Sequence, residues 1–458
     1  MRKFILSVLL LTLSTSAVAI TRFEQIGFSE PTSIVLQILL VYPVRVDKIT
    51  GKTALLKSEA DKQLISTIDD NFTNVYSKAQ IQQTFEDLNI RYEEGKETAS
   101  LVTFIAGIET TAQNGLNKID IQLCSKDKIK TKKFFMYDPE EVVAQSIERE
   151  LYIRAAKQYR DLPKETEDFI ATILTKFRDG LDANKISRLP VTLNTTSGAE
   201  ALAQFIVSVK LSMYDTWFRV SQTISNQCYD VEQFSSEDSS DPNRVFIRDA
   251  FFFIGNSFIT NDSFVLSPRV GAGVAYAKTI LPLYKDRTVK TIMPKNMVEG
   301  GDLIYDVKRN IIWAGYDGEI TSKDAHTEIS TATGLRVISL ENILNLDAND
   351  TQNHLDTHLA PVGDLLLYDP KAFSATGIAL IKKEVAAENL IAVTDPLDIK
   401  GGALNLLNID DVVIMSNCSS GLKATLEAKG YKVVLIDASL YFLGGMSGGI
   451  HCMTNQEL

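Results

Sequence analysis

A chain of 458 residues is long enough for two or three domains, each with its own core. Its 45% apolar and 23% charged residues are those of a globular protein, which excludes wholesale disorder. A net charge of −11 argues against nucleic-acid binding through phosphate neutralisation and against a polybasic membrane surface.

Residues 1–19 read as a secretory signal peptide. Arg2 and Lys3 precede an apolar run from Phe4 to Leu13, and small residues end on Ala17-Val18-Ala19. The run is short for a bilayer, and no later stretch of about 18 apolar residues follows. The mature chain is therefore expected to be secreted or periplasmic, with no stable membrane insertion. Four cysteines (Cys124, Cys228, Cys418, Cys452) are too few for a disulfide framework, although one bridge is compatible with them.

Residues 20–184 are expected to form an accessory domain, mixed but largely helical. Segment 34–46, "IVLQILLVYPVRV", has strand character. Asp138 and Pro139 are placed to open a helix, and Leu162-Pro163 opens a second that runs to about Phe177. "RDGLDANK" then makes a polar break, and no chemical motif occurs in this half.

From residue 187 to 458 the pattern changes to strands alternating with short helices, and it repeats. Asp249, Asp302, Asp356 and Asn405 each precede a strand-like run, and Cys452 belongs to the closing strand, at intervals of about 50 residues. Helix-like stretches and short β-branched strands lie between them, as in "AYAKTILPLY" before "VKTIMP". Such a unit cannot bury its own apolar face, but five units in a ring would cover one another. Counting back from Asp249 reaches "RLPVTLNTTSGAEALAQFIVSV", so the first unit is expected to begin near 187 and to be completed by the C-terminal strand.

Polar anchors at equivalent points of a ring converge on its axis. Those present are Asp249, Glu299, Asp302, His354, Asp356 and Cys452. All four histidines (His326, His354, His358, His451) lie in this part of the chain. Carboxylates, one imidazole and one thiol suit a cationic, planar electrophile. Acids would orient the cation, the thiolate would attack its carbon, and the histidine would move protons. A guanidinium fits, because its forked hydrogen bonding to carboxylates is its strongest recognition mode.

These residues resemble the guanidino-group-modifying enzymes of the pentein fold, which include arginine deiminases, dimethylarginine dimethylaminohydrolases, agmatine deiminases and amidinotransferases. "FIRDAFFFIGNSFI" is similar to the family's Arg-Asp-Pro strand, "VEGGDLI" to its Glu-Gly-Gly-Asp segment, and "HLDTHLAPVGDLLLYDPKAFS" to its His-Leu-Asp-Thr segment. "GALNLL" and "GGIHCMTNQ" match the fourth and final strands. The resemblance implies an α/β fold, a five-fold pseudosymmetric propeller over 187–458. It implies Cys452 as nucleophile, His354 as general acid/base and Glu299 beside it on the guanidinium. Asp249 and Asp356 would hold the remaining nitrogens, Asp302 would bind substrate or brace its turn, and Gly300 and Gly301 would let the backbone approach. No cofactor and no metal are implied.

The chain departs from the family's pattern in two places. Ala250 stands where many relatives have proline, and Ile320 stands where arginine-specific relatives carry a carboxylate-binding arginine. Arg269 is a candidate for a second carboxylate contact. Free arginine is therefore a weaker expectation than an agmatine-like, peptidyl or modified guanidine.

Hydrolysis is expected over amidino transfer to an amine, and a catalytically silent binding module is the competing class. A cysteine protease would leave the carboxylates and the repeat unexplained. "HLDTH" lacks the acid of a zinc-binding helix. His326 is expected at the surface, His451 on the face of its strand away from the chemistry, and the acids of 236–241 in a solvated loop.

Overall fold

The computed structural model describes residues 29–41, 45–46, 53–54, 75–113, 124, 128–130, 132–137, 139, 198–234, 245–260, 272–317, 320–343, 354–416, 420–438 and 448–458. The signal-peptide reading, the helices expected from Asp138 and Leu162, the acids of 236–241 and Arg269 fall outside these. The chain divides into two compact units, one of 1–120 and 143–215, the other of 121–142 and 216–458.

In the first unit, residues 30–41 are helical (Glu30–Val41), where a strand was expected. Glu30 in the first turn and Pro31 at the first helical positions suit a helix start, and Pro43 cannot continue one. Only Arg45–Val46 (β1) is extended, paired antiparallel with Thr53–Ala54 (β2). Helix Lys78–Asp87 opens on a reciprocal Ser77–Gln80 capping box. The Thr32 hydroxyl donates to Asp87 at 2.8 Å and ties the two helices together.

The second unit is built on one pattern used five times. Its strands are Lys133–Tyr137 (β3), Asp230–Phe234 (β4), Phe251–Ile254 (β5), Ser257–Thr260 (β6), Lys290–Ile292 (β7), Leu303–Asp306 (β8), Ile311–Tyr316 (β9) and Arg336–Glu341 (β10). They continue with Leu359–Val362 (β11), Leu365–Tyr368 (β12), Leu390–Ala392 (β13), Leu407–Ile409 (β14), Val412–Met415 (β15), Lys432–Leu435 (β16) and Thr454–Gln456 (β17). They form five three-stranded sheets: β5-β6-β7, β8-β9-β10, β11-β12-β13, β14-β15-β16 and β17-β3-β4. In every sheet the first pair is antiparallel and the second parallel. A helix joins the parallel strands, as Lys323–Thr333 does between β9 and β10.

Turn chemistry repeats with the sheets. The four hairpins turn through Gly255, Asn310, Gly363 and Asp410, all at positive φ, the residue types that tolerate that region. Apolar clusters then join consecutive sheets. Phe252, Ile259, Leu303 and Ile312 share one, Trp313, Leu340, Leu359 and Leu366 a second, and Leu365, Leu367, Val413 and Met415 a third. The final residues pair Glu457 with Phe253 and so link β17 to the β5 sheet.

Two expectations change here. The strand expected near 187 lies outside the described residues, and its place in the fifth sheet is taken by β3, between β17 and β4. Residues 133–137 thus pack in the second unit, not in an accessory domain. Cys452 is not within a strand: it sits in the turn two residues ahead of β17. Cys124 and Cys228 form a disulfide that ties the approach to β3 to the approach to β4.

Candidate active site

Short turns ahead of the first strand of four of the sheets bring the anchors together. Asp249 lies in the four-residue helix Ile247–Ala250 before β5, Gly300–Asp302 forms a 3-10 turn before β8, and Leu355–Thr357 another before β11. Asp249, Glu299, Asp302, His354, Asp356 and Cys452 are all buried. His354 Nε2 lies 2.6 Å from Glu299 Oε2, and its Nδ1 3.3 Å from Asp249 Oδ1. The Cys452 thiol donates to Asp356 Oδ2 at 3.3 Å. It is the free thiol among the described cysteines.

The remaining expected residues pack against this group. A Cβ on Gly301 would lie 2.7 Å from Asp249 Oδ1 and 2.8 Å from the His354 ring. One on Gly300 would lie 2.0 Å from the Arg248 carbonyl oxygen. The two glycines therefore let protein press on protein. Asp302 is a brace: Oδ1 accepts from the Leu355 N–H at 2.9 Å and Oδ2 from the Thr321 hydroxyl at 2.5 Å. Thr321 also accepts from the Glu299 N–H at 3.2 Å, so the 317–322 turn that contains Ile320 holds both acids.

Burial would lower the pKa of His354, but the charges of Asp249 and Glu299 and the bond to Glu299 outweigh it. The imidazole is held well above 6.5, protonated at neutral pH. Burial, with the charges of Asp356 and Asp249, pushes the Cys452 thiol up. Burial would also raise Asp356, but His451 and His354 hold it below the usual carboxylate range. Burial raises Asp302 to about 7. Carboxylates thus face a thiol whose ionisation a neighbouring cation would favour.

Several residues the sequence reading left out lie here. Asn405 Nδ2 donates to Cys452 Sγ at 2.9 Å, while its Oδ1 accepts from the Cys452 and His451 N–H groups at 3.1 and 2.8 Å. Its place in the repeat was the signal for this role. His451 was expected to face away, yet its Nδ1 meets Asp356 Oδ2 at 2.7 Å. Strand alternation does not apply in a turn. The Arg248 guanidinium is fully buried, and its nitrogens have no hydrogen-bond partner among the described residues. Burial lowers it to about 10, against the pull of Asp356, Cys452 and Asp249.

His326 and His358 are apart from the chemistry. His326 is buried, not at the surface as expected, because its ring bonds Ser339 and the Gly315 carbonyl across the sheet. His358 lies 3.6 Å from Asp369. Asp249, Glu299 and His354 are the grouping among the described residues close enough to suit a metal ion. An ion held there would have to separate the 2.6 Å contact between His354 Nε2 and Glu299 Oε2.

The sequence relatives are enzymes of guanidino compounds. The dimethylarginine dimethylaminohydrolase of Mycobacterium tuberculosis is 30% identical over 221 residues, 45% of this chain and 66% of that protein. This chain is a homologue of the guanidino-group-modifying enzymes. A bifunctional arginine dihydrolase/ornithine cyclodeaminase, AgrE of Nostoc, is 32% identical over 165 residues, 35% of this chain and 22% of AgrE. The chain thus spans about a fifth of the length of that relative. The crystal structure of the N-terminal domain of ArgZ, a cyanobacterial arginine dihydrolase, superposes with a TM-score of 0.49 at 25% identity. That superposition covers 54% of this chain and 87% of the other. No family model matches the chain.

Proposed function

We propose that this guanidino-modifying homologue is a hydrolase of the guanidino group of an arginine-related compound, small or peptidyl, working through an amidino-cysteine intermediate. The observation that carries the reading is the buried set of Cys452, Asp356 and the Asp249–His354–Glu299 cluster. Asp356 Oδ1 is buried with no hydrogen-bond partner among the described residues, a state that a guanidinium N–H would relieve.

The substrate cation binds Asp356 and Asp249, and its charge favours the thiolate. Sγ attacks the guanidinium carbon and a tetrahedral adduct forms. His354, already protonated, gives its proton to the departing nitrogen, which leaves as ammonia or an amine. Water then attacks the amidino-thioether and cedes a proton to His354. The C–S bond breaks, the hydroxyl proton of the adduct passes to solvent, and the neutral ureido product and thiolate separate. Asn405 Nδ2 steadies the sulfur whenever it is charged.

We also infer that the five sheets close into a ring around this site, with the β17-β3-β4 sheet completing it. The residues of the first unit would form an accessory, largely helical part. Export is supported by the leader-like residues 1–19 and by the Cys124–Cys228 bridge, which persists in oxidising compartments.

The experiment is a substrate panel of arginine, agmatine, methylated arginines and peptidyl arginine, scored for ammonia or amine and for ureido product. Equimolar release of both from at least one guanidine is expected. Amidino transfer without ureido product, or no turnover of any member, would overturn the reading.

A further inference from the structure

Asp356 serves two partners with one of its two oxygens. Oδ2 takes the thiol hydrogen bond of Cys452 and the Nδ1 contact of His451, while Oδ1 has no hydrogen-bond partner among the described residues. A carboxylate turns readily about its terminal bond, so something must decide which oxygen faces the sulfur. His451 is built to do so. Its backbone N–H is anchored on Asn405 Oδ1 at 2.8 Å, and the same Asn405 oxygen takes the Cys452 N–H. Ring, thiol and carboxylate are therefore referenced to one amide.

The ring state is also set. Burial first, and the charge of Arg248 next, lower the pKa of His451. A neutral ring facing a carboxylate oxygen that can only accept carries its proton on Nδ1. The charged and titratable groups around the His451–Asp356 pair are Cys452, Asp249 and His354, with Arg248 coupled to Asp356 and to His451. His451 and Asp356 also line a cavity of about 460 Å³ bordered by Ile304, Ala360 and Leu407. Removing the imidazole would thus leave space adjoining that cavity.

We propose that His451 is a positioning residue for the nucleophile: by donating Nδ1–H to Asp356 Oδ2 it keeps that oxygen on the Cys452 thiol and the other free for substrate. The thiol half of this stands on geometry. Only the identity of the group meeting Oδ1 rests on the guanidine-hydrolase reading.

The test compares wild type, His451→Leu and His451→Asn, whose amide N–H replaces the Nδ1 donor. Two quantities are read: the pH profile of Cys452 alkylation by iodoacetamide, followed on the C-terminal peptide, and kcat/KM on the best guanidine. In His451→Leu the full carboxylate charge falls on the thiol, so the alkylation profile moves to higher pH. Turnover falls about ten-fold to a hundred-fold. His451→Asn recovers most of both losses.

Leu and Asn variants that are equally impaired, or an unshifted alkylation profile in His451→Leu, would overturn the proposal. Should the Leu variant fail to fold by thermal melting, an Asn variant with a wild-type profile supports the role and a shifted one overturns it. A wild type that alkylates normally but turns over no guanidine counts against the hydrolase reading alone.

Discussion

At the scale of single residues, the site is a balance between burial and charge. His354 is the clearest case, because Asp249 and Glu299 reverse the effect of its burial and hold it protonated. A group whose folded pKa lies above its unfolded value stabilises the fold fully below about 6.5. That contribution is lost as pH rises through the folded pKa. The same holds for its acid function, so activity should decline on the alkaline side as His354 deprotonates. Glu299→Gln removes one of the charges responsible and should move that alkaline limb to lower pH. Breaking a buried charge pair costs on the order of 3–5 kcal/mol, so kcat/KM should also fall hundreds-fold or more. A pH–rate profile of Glu299→Gln with an unmoved limb would assign the alkaline group elsewhere.

At the scale of elements, the turns ahead of the first strands do the positioning, and the turn holding Ile320 is the proposed determinant of specificity. Ile320 donates its N–H to Asp317 Oδ1 at 2.8 Å, and its neighbour Thr321 touches both Asp302 and Glu299. A hydrophobic side chain there offers nothing to a substrate carboxylate, so free arginine should be no better than agmatine. Ile320→Arg adds a charge-assisted contact of about 1.5–3 kcal/mol and should shift kcat/KM toward arginine roughly ten-fold or more. A wild type already preferring arginine a hundred-fold over agmatine would contradict this.

Four of the five units were legible because each is local: a hairpin, its Gly, Asn or Asp turn and a following helix within about 50 residues. The fifth was not. Its outer strand is the C-terminal β17 and its middle strand is β3, "KFFMY", cut off from helix Gly198–Asn226 by residues 138–197. Four apolar residues after a lysine, without a neighbouring partner strand, carry no periodicity that distinguishes strand from core helix. The same limit explains segment 34–41, where a continuous apolar run proved helical. His451 was missed for another reason: "GGIHCMTNQ" reads as extended, and only the turn geometry brings adjacent side chains onto one carboxylate.

At the scale of the molecule, the disulfide Cys124–Cys228 closes a sequence separation of 104 residues within the second unit. In the chain-entropy account a loop of that length is stabilised by roughly 4–5 kcal/mol. It also holds β3 beside β4, and β3 carries β17 next to the nucleophile. A reductant should therefore lower the melting temperature of wild type. The double variant Cys124→Ser/Cys228→Ser should melt low with or without it. Equal melting of wild type in both conditions would show that the bridge adds nothing.

The proposed mechanism turns on one covalent bond, between Cys452 Sγ and the carbon of a guanidine. The direct measurement is peptide mass spectrometry of protein acid-quenched during turnover of the best guanidine in the panel. An amidino adduct on the C-terminal peptide at Cys452 is predicted, absent in Cys452→Ser, which should also have essentially no turnover. A Cys452→Ser variant that still releases ureido product, or an adduct on another residue, would contradict the mechanism.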